Sequence, residues 1–156
     1  MNADFDMAAL AFYLEANVPG FADLKRAQKF PGGQSNPTFK LEARSGSYVL
    51  RRKPSGALLK SAHAIDREFR VLRALQSTDV PVAIAYHYCD DDSIIGAAFY
   101  VMQHVDGVVF WDPLIPEADN ALRAEIYDSM NRVLAAIHSV DLRAAGLFDY
   151  GKPGLL

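Results

Sequence analysis

The feature that most limits the possible folds of this chain is a glycine loop between two strand-like stretches. Residues 30–40 read Phe-Pro-Gly-Gly-Gln-Ser-Asn-Pro-Thr-Phe-Lys, and the neighbouring Gly32 and Gly33 permit backbone angles that other residues avoid. Such a loop can simply reverse the chain, or it can wrap successive N–H groups around a phosphate. On the loop alone the simple turn is favoured, because short glycine motifs occur in many unrelated proteins.

Apolar periodicity on both sides of this loop predicts a mixed α and β domain. Alternation predicts three strands that form an antiparallel meander, followed after a helix by two more strands. The predicted strands cover residues 24–30, 37–43, 47–53, 82–88 and 98–104, and the predicted helices cover residues 6–17, 64–76 and 121–140. The glycine loop then lies at the first bend of the meander.

The third predicted strand ends in three cations, and the helix after it carries an acid near its apolar stripe. Strand alternation sends Arg51 and Arg52 to opposite faces, so one of them points toward the side of the glycine loop; a solvated strand end is the alternative. Glu68 lies at the edge of the stripe formed by Ile65, Phe69 and Leu72. We therefore expect Glu68 to be partly desolvated and to have a cationic partner, although an arginine of the same helix could fill that role.

Composition and charge exclude several classes of function. At 156 residues, with a net charge of −3, one domain is expected and nucleic acid is disfavoured as a partner. There is no run of eighteen apolar residues, so no membrane partner is expected, and the acidic start does not resemble a signal peptide. The single cysteine, Cys89, fits a reducing compartment, so we expect a cytoplasmic protein. The acidic run at residues 90–92 is interpreted as a solvated turn and not as a metal site.

Five segments of the sequence carry a further signal when they are taken together: residues 33–38, 48–54, 61–72, 99–107 and 133–141. In this order they resemble the aminoglycoside phosphotransferase and choline kinase superfamily, which has a kinase-like fold. More narrowly, they resemble the phosphotransferase-like domain found alone in bacteria and fused to some acyl-CoA dehydrogenases. The resemblance implies an α+β fold: a protein-kinase-like N-lobe with a five-stranded antiparallel sheet and a helix over residues 1–104. A hinge and linker would follow over residues 105–120, and the first long helix of a C-lobe over residues 121–156.

The resemblance also implies a set of nucleotide-binding residues. The loop would lie near the phosphates, Arg51 would hold the α- and β-phosphates with Glu68 as its partner, and Arg52 is the alternative cation if the register differs by one. Met102 would stand behind the adenine, and backbone groups of the hinge would bind the base. The full set is Gly32, Gly33, Ser35, Asn36, Arg51, Glu68, Met102, Gln103 and Val105.

The family's catalytic loop, H-x-D-x-x-x-x-N, does not occur in this sequence. His138 and Asp141 have the spacing H-x-x-D, and Gly146 stands five positions after that aspartate. The resemblance therefore implies the N-terminal, nucleotide-binding part of an ATP-dependent phosphotransferase that acts on a small-molecule hydroxyl. ATP and Mg²⁺ are the implied cofactors, with the Mg²⁺ ligands expected in a missing C-lobe. No catalytic or metal-binding residue is assigned here, and the chain alone is expected to be inactive.

A second hypothesis treats the chain as a non-catalytic nucleotide-binding or interaction module, either truncated or a pseudo-kinase. The apolar face of the predicted helix 121–140 favours it, because an uncovered apolar face promotes self-association. The phosphoryl acceptor and the choice between ATP and GTP stay open at this point.

Overall fold

The computed structural model describes residues 4–31, 36–54 and 64–151. Within these ranges no helix is long and apolar enough to cross a membrane. The helices are α1 (Met7–Asn17), α2 (Ile65–Leu75) and α3 (Asn120–His138), and the strands are β1 (Leu24–Lys29), β2 (Thr38–Ala43), β3 (Gly46–Arg52), β4 (Ala85–Cys89) and β5 (Phe99–Gln103).

The five strands form one antiparallel sheet in the order β1-β2-β3-β5-β4. The first three strands make the predicted meander, and β5 lies between β3 and β4. The register places Thr38 of β2 opposite Arg51 of β3, and Arg51 opposite Tyr100 of β5. These three side chains therefore form a row across one face of the sheet. The predicted five-stranded antiparallel sheet is confirmed.

Helix α1 covers one face of the sheet. Asp6 caps its first turn by accepting hydrogen bonds from the N–H groups of Ala8 and Ala9 at 2.8 and 3.1 Å, which is the usual role of an N-cap aspartate. Its Leu10 and Leu14 are fully buried and belong to a core cluster that includes alternate residues of the central strands. Those residues are Phe39, Leu41, Leu50, Phe99 and Val101.

Helix α2 covers the opposite face. Ile65 is fully buried and forms a second cluster with Ala98 and Tyr100, against which Phe69 and Leu72 pack. Because Tyr100 alternates with Phe99 and Val101 along β5, the two clusters lie on the two sides of the sheet. The predicted apolar stripe of α2 thus packs on the face that carries Arg51.

The chain divides into two compact units. The first consists of Met1–Arg73 and Ala83–His104 and holds the whole sheet and α1; the second consists of Ala74–Val82 and Val105–Leu156 and holds α3. Asp119 caps α3 by accepting a hydrogen bond from the Leu122 N–H at 2.8 Å. None of the residues of α3 is buried, so its apolar face is open in this unit.

Candidate functional site

A polar cluster on the α2 side of the sheet is built around an ion pair between β3 and α2. Arg51 Nε donates to Glu68 Oε2 at 2.7 Å, and Arg51 Nη2 donates to Glu68 Oε1 at 3.4 Å. Both side chains are about one-third exposed, 30% for Arg51 and 37% for Glu68. The guanidinium therefore forms two hydrogen bonds with the carboxylate, and part of its surface stays exposed to solvent. The pairing between strand and helix replaces the alternative of a pair within α2.

Two further side chains fix the Glu68 carboxylate. Tyr100 donates its hydroxyl to Oε2 at 3.1 Å, and Asn36 donates its amide to Oε1 at 2.9 Å. Each carboxylate oxygen thus accepts one bond from Arg51 and one from a neutral donor. A carboxylate held in this way has little freedom to rotate, so Glu68 fixes the direction of the Arg51 side chain.

Thr38 links the ion pair to the end of the glycine loop. Its hydroxyl accepts a hydrogen bond from Arg51 Nη1 at 3.1 Å and donates one to the Asn36 carbonyl at 3.1 Å. Asn36 itself is almost completely buried, with 3% exposure. The last residue of the loop is therefore joined to Arg51 through Thr38 and to Glu68 directly.

Burial and the neighbouring negative charge keep the Tyr100 phenol protonated. Desolvation raises the pKa of Tyr100 well above its ordinary value, and the Glu68 charge and hydrogen bond raise it further, while the Arg51 charge lowers it. A tyrosine with the ordinary pKa of 10.0 is already protonated at neutral pH, and the raised pKa keeps this phenol a hydrogen-bond donor to Glu68 in the alkaline range as well. With Arg51 and Glu68 of opposite charge, the cluster is close to neutral before any ligand binds.

Arg52 faces the other side of the sheet and has different partners. It is only 4% exposed, its Nη2 donates to Asp4 Oδ2 at 2.6 Å, and its Nη1 donates to the Ile95 carbonyl at 3.3 Å. Strand alternation therefore leaves Arg51, and not Arg52, as the cation on the face of Glu68.

The other predicted nucleotide-binding residues that the structure describes lie partly at the end of β5 and partly outside the sheet. Met102 is partly buried and packs against the α2 cluster. The Gln103 N–H donates to the carbonyl of Ile84, just before β4, at 2.7 Å, so this group already has a backbone partner. Val105 is 64% exposed and belongs to the second unit. Gly32, Gly33 and Ser35 lie outside the described residues.

The sequence analysis did not identify Thr38 and Tyr100 as parts of the site. Both lie directly opposite Arg51 on the neighbouring strands, so the strand register brings them to the ion pair. Either residue could have been found only by a correct pairing of β3 with β2 and β5, which single-sequence periodicity does not supply.

Comparison with known proteins shows the family of this chain. Residues 26–156 match the sequence profile of the phosphotransferase enzyme family. The chain therefore belongs to this family. The resemblance to the aminoglycoside phosphotransferase family that the sequence indicated is confirmed.

The similar curated proteins are much longer than this chain. Acyl-CoA dehydrogenase family member 11 of Mus musculus is 48% identical over 151 residues, which cover 94% of this chain and 19% of the relative. Acyl-CoA dehydrogenase family member 10 of the same organism is 48% identical over 126 residues, 81% of this chain and 12% of the relative. The chain thus spans about a fifth or less of the curated relatives it matches.

A solved structure confirms the fold class. The crystal structure of a Ralstonia eutropha protein with the provisional name aminoglycoside phosphotransferase superposes with a TM-score of 0.83 at 51% sequence identity. The match covers 97% of this chain and 43% of that protein. The kinase-like α+β fold predicted from the five sequence segments is therefore correct.

Proposed function

We propose that this chain is the nucleotide-binding part of an ATP-dependent phosphotransferase that acts on a small-molecule hydroxyl. The observation that carries the proposal is the Arg51–Glu68 ion pair, held at 2.7 Å between β3 and α2 and joined to the end of the glycine loop by Asn36 and Thr38. In kinase-like enzymes a strand cation paired with a helix glutamate orients the nucleotide phosphates.

The chemistry of the pair suits that role. The Arg51 guanidinium has five N–H donors, of which Glu68 and Thr38 take three. The remaining donors and the 30% exposure of the side chain would let it bind an anion. Glu68 lowers the cost of holding this cation in place and fixes its direction. The residues of this chain would therefore bind and orient the α- and β-phosphates, with Met102, Gln103 and Val105 proposed at the base and Gly32, Gly33 and Ser35 at the phosphates.

Mg²⁺ would neutralise the phosphate charge during transfer in an enzyme of this kind. Among the described residues no three histidine, cysteine, aspartate or glutamate side chains come together as a metal site. As the family resemblance implies, we propose that the metal ligands and the catalytic base of such an enzyme belong to its C-lobe. In this division residues 1–104 form the nucleotide lobe, residues 105–120 the hinge and linker, and residues 121–156 the start of the second lobe.

Calorimetric titration of the chain with ATP, with and without Mg²⁺, tests the proposal. Arg51→Met keeps the unbranched stem of the side chain and removes the charged guanidinium, so ATP affinity should fall about tenfold or more, the equivalent of one lost charged hydrogen bond. Arg44→Met is the matched control, because Arg44 lies at the β2–β3 turn and its guanidinium has, among the described residues, a single long contact of 3.9 Å to the Asp23 carboxylate. Equal ATP affinity for the two variants would contradict the proposal, as would no binding at millimolar ATP.

A non-catalytic interaction module is the second candidate. The observation that favours it is the open apolar face of α3, on which several large side chains are about half exposed. They are Leu122, Met130, Leu134 and Ile137. We propose self-association through this face as the property that would distinguish such a module.

A further inference from the structure

The guanidinium of Arg52 is a buried charge whose partners come from the beginning of the chain. A cation with 4% exposure is stable only when an opposite charge and hydrogen bonds replace its water. Asp4 Oδ2 supplies the charge at 2.6 Å, and the Ile95 carbonyl supplies a hydrogen bond at 3.3 Å. In the described parts of the chain Asp4 is the only carboxylate within ion-pair distance of Arg52.

Two aromatic rings complete the surroundings of this cation. The Arg52 guanidinium carbon lies 5.5 Å from the ring centre of Phe5 and 5.6 Å from that of Phe39, and these two rings meet edge to face at 5.1 Å. Both distances are within the range of a cation–π contact. Arg52 Nε has no hydrogen-bond partner among the described groups, so the bonds of the two Nη atoms and the two ring contacts hold the guanidinium.

The position of Arg52 in β3 connects this cluster to the ion pair. Arg52 is the last residue of the strand and directly follows Arg51, which points to the opposite face. The Arg52 N–H donates to the Pro37 carbonyl at 3.0 Å, next to Asn36 and Thr38 of the site. Contacts of the Arg52 side chain therefore act on the end of β3 that carries Arg51.

We propose that Asp4 and Phe5 form an N-terminal clamp on Arg52 that positions Arg51 against Glu68. These are positioning residues, since they act through the β3 backbone and do not contact the ion pair. Asp4 is 68% exposed, so the clamp can open at the surface without unfolding of the sheet. The positioning claim stands on the ion pair alone, and only its consequence for ATP rests on the proposed function.

The test is hydrogen exchange of the Arg51 Nε–H measured by NMR, because this proton is protected by its bond to Glu68. Asp4→Asn keeps the shape of the side chain and removes its charge, and it should speed the exchange by about tenfold or more, as expected when a local opening becomes easier. Asp23→Asn is the matched control: it removes an exposed carboxylate that pairs with Lys25. Phe5→Leu, which removes the ring and keeps an apolar side chain, should also speed the exchange.

Two outcomes would overturn the clamp. One is unchanged exchange of the Arg51 Nε–H in Asp4→Asn and Phe5→Leu, even if both variants unfold at a lower temperature, because the contacts would then be stabilising only. The other is equal acceleration in Asp23→Asn. If Asp4→Asn does not fold, Phe5→Leu decides the question. ATP titration separates the two proposals. If the unsubstituted chain binds no ATP, the nucleotide role is refuted, and the exchange experiment still decides whether the clamp exists.

Discussion

At the scale of single residues, the site depends on how Glu68 is satisfied. Its two oxygens accept bonds from Arg51, Tyr100 and Asn36, which come from two strands and the end of a loop. An exposed ion pair contributes little to stability because solvent screens it. Here the neutral donors and the partial burial of both partners make the network more costly to break than a simple surface pair.

Replacement of Glu68 by alanine tests that difference. The variant leaves Arg51, Tyr100 and Asn36 without their common acceptor, so the free energy of unfolding should fall by about 1–2 kcal/mol. Glu42→Ala is a suitable control, because Glu42 has a single long contact to Lys40 at 3.9 Å, and its effect should stay within about 0.5 kcal/mol. Urea unfolding of both variants measures the two changes. Equal small losses would show that the Glu68 network is no stronger than a solvated ion pair.

Tyr100 should make the protein less stable as the pH rises into the alkaline range. Because burial and Glu68 raise the pKa of Tyr100 in the folded state above the ordinary value of 10.0, the folded protein favours the protonated phenol. The resulting stability is fully present below pH 10 and is lost as the unfolded state ionises at higher pH. Tyr100→Phe cannot ionise, so the wild-type chain should lose stability relative to this variant between about pH 9 and pH 11. Urea unfolding of both proteins at about pH 9 and about pH 11 measures the difference between their free energies of unfolding. If that difference is the same at both pH values, the raised pKa of Tyr100 is contradicted.

At the scale of helices and strands, the local sequence pattern was enough to predict the elements, but it did not predict which residues of neighbouring strands stand opposite one another. Alternation correctly predicted that Arg51 and Arg52 face opposite sides, and the stripe of α2 correctly placed Glu68 near the sheet. The partners Thr38 and Tyr100 depend on which residues of separate strands stand opposite one another, and that is fixed by long-range pairing. The contact of Asp4 with Arg52 joins residues 48 positions apart and has no local signal at all.

The β2–β3 turn sets part of that register. Gly46 opens β3 with φ of +137°, a conformation that side chains rarely adopt, and a Cβ added at this position would meet no atom within 4 Å. Gly46→Ala should therefore destabilise the protein by about 1 kcal/mol or more through backbone strain alone. Gly107→Ala is the control, because that position is equally open and has no such angle. Thermal unfolding compares the two, and an equal effect would exclude strain at the turn as the cause.

At the scale of the whole molecule, the comparisons establish the family and fold, and the relatives are several times longer than the chain. The sheet unit holds the complete Arg51–Glu68 cluster, so a nucleotide role can be tested in this chain as it is. The second unit presents α3 with its apolar side uncovered within that unit, which is unfavourable in water. Contact with another protein surface would reduce that cost, and a second copy of the chain is the simplest partner to test.

Sedimentation over a range of protein concentrations tests self-association through α3. If this face is the contact, the mean mass should rise with concentration, and Met130→Glu should lower it because a carboxylate would be buried without a partner. Met130 is 57% exposed and lies in a groove with Leu134 and Ile137. Ala135→Glu adds the same charge outside that groove and should leave the mass unchanged. A monomer mass at every concentration would exclude self-association and leave the nucleotide role of the sheet unit as the property to pursue.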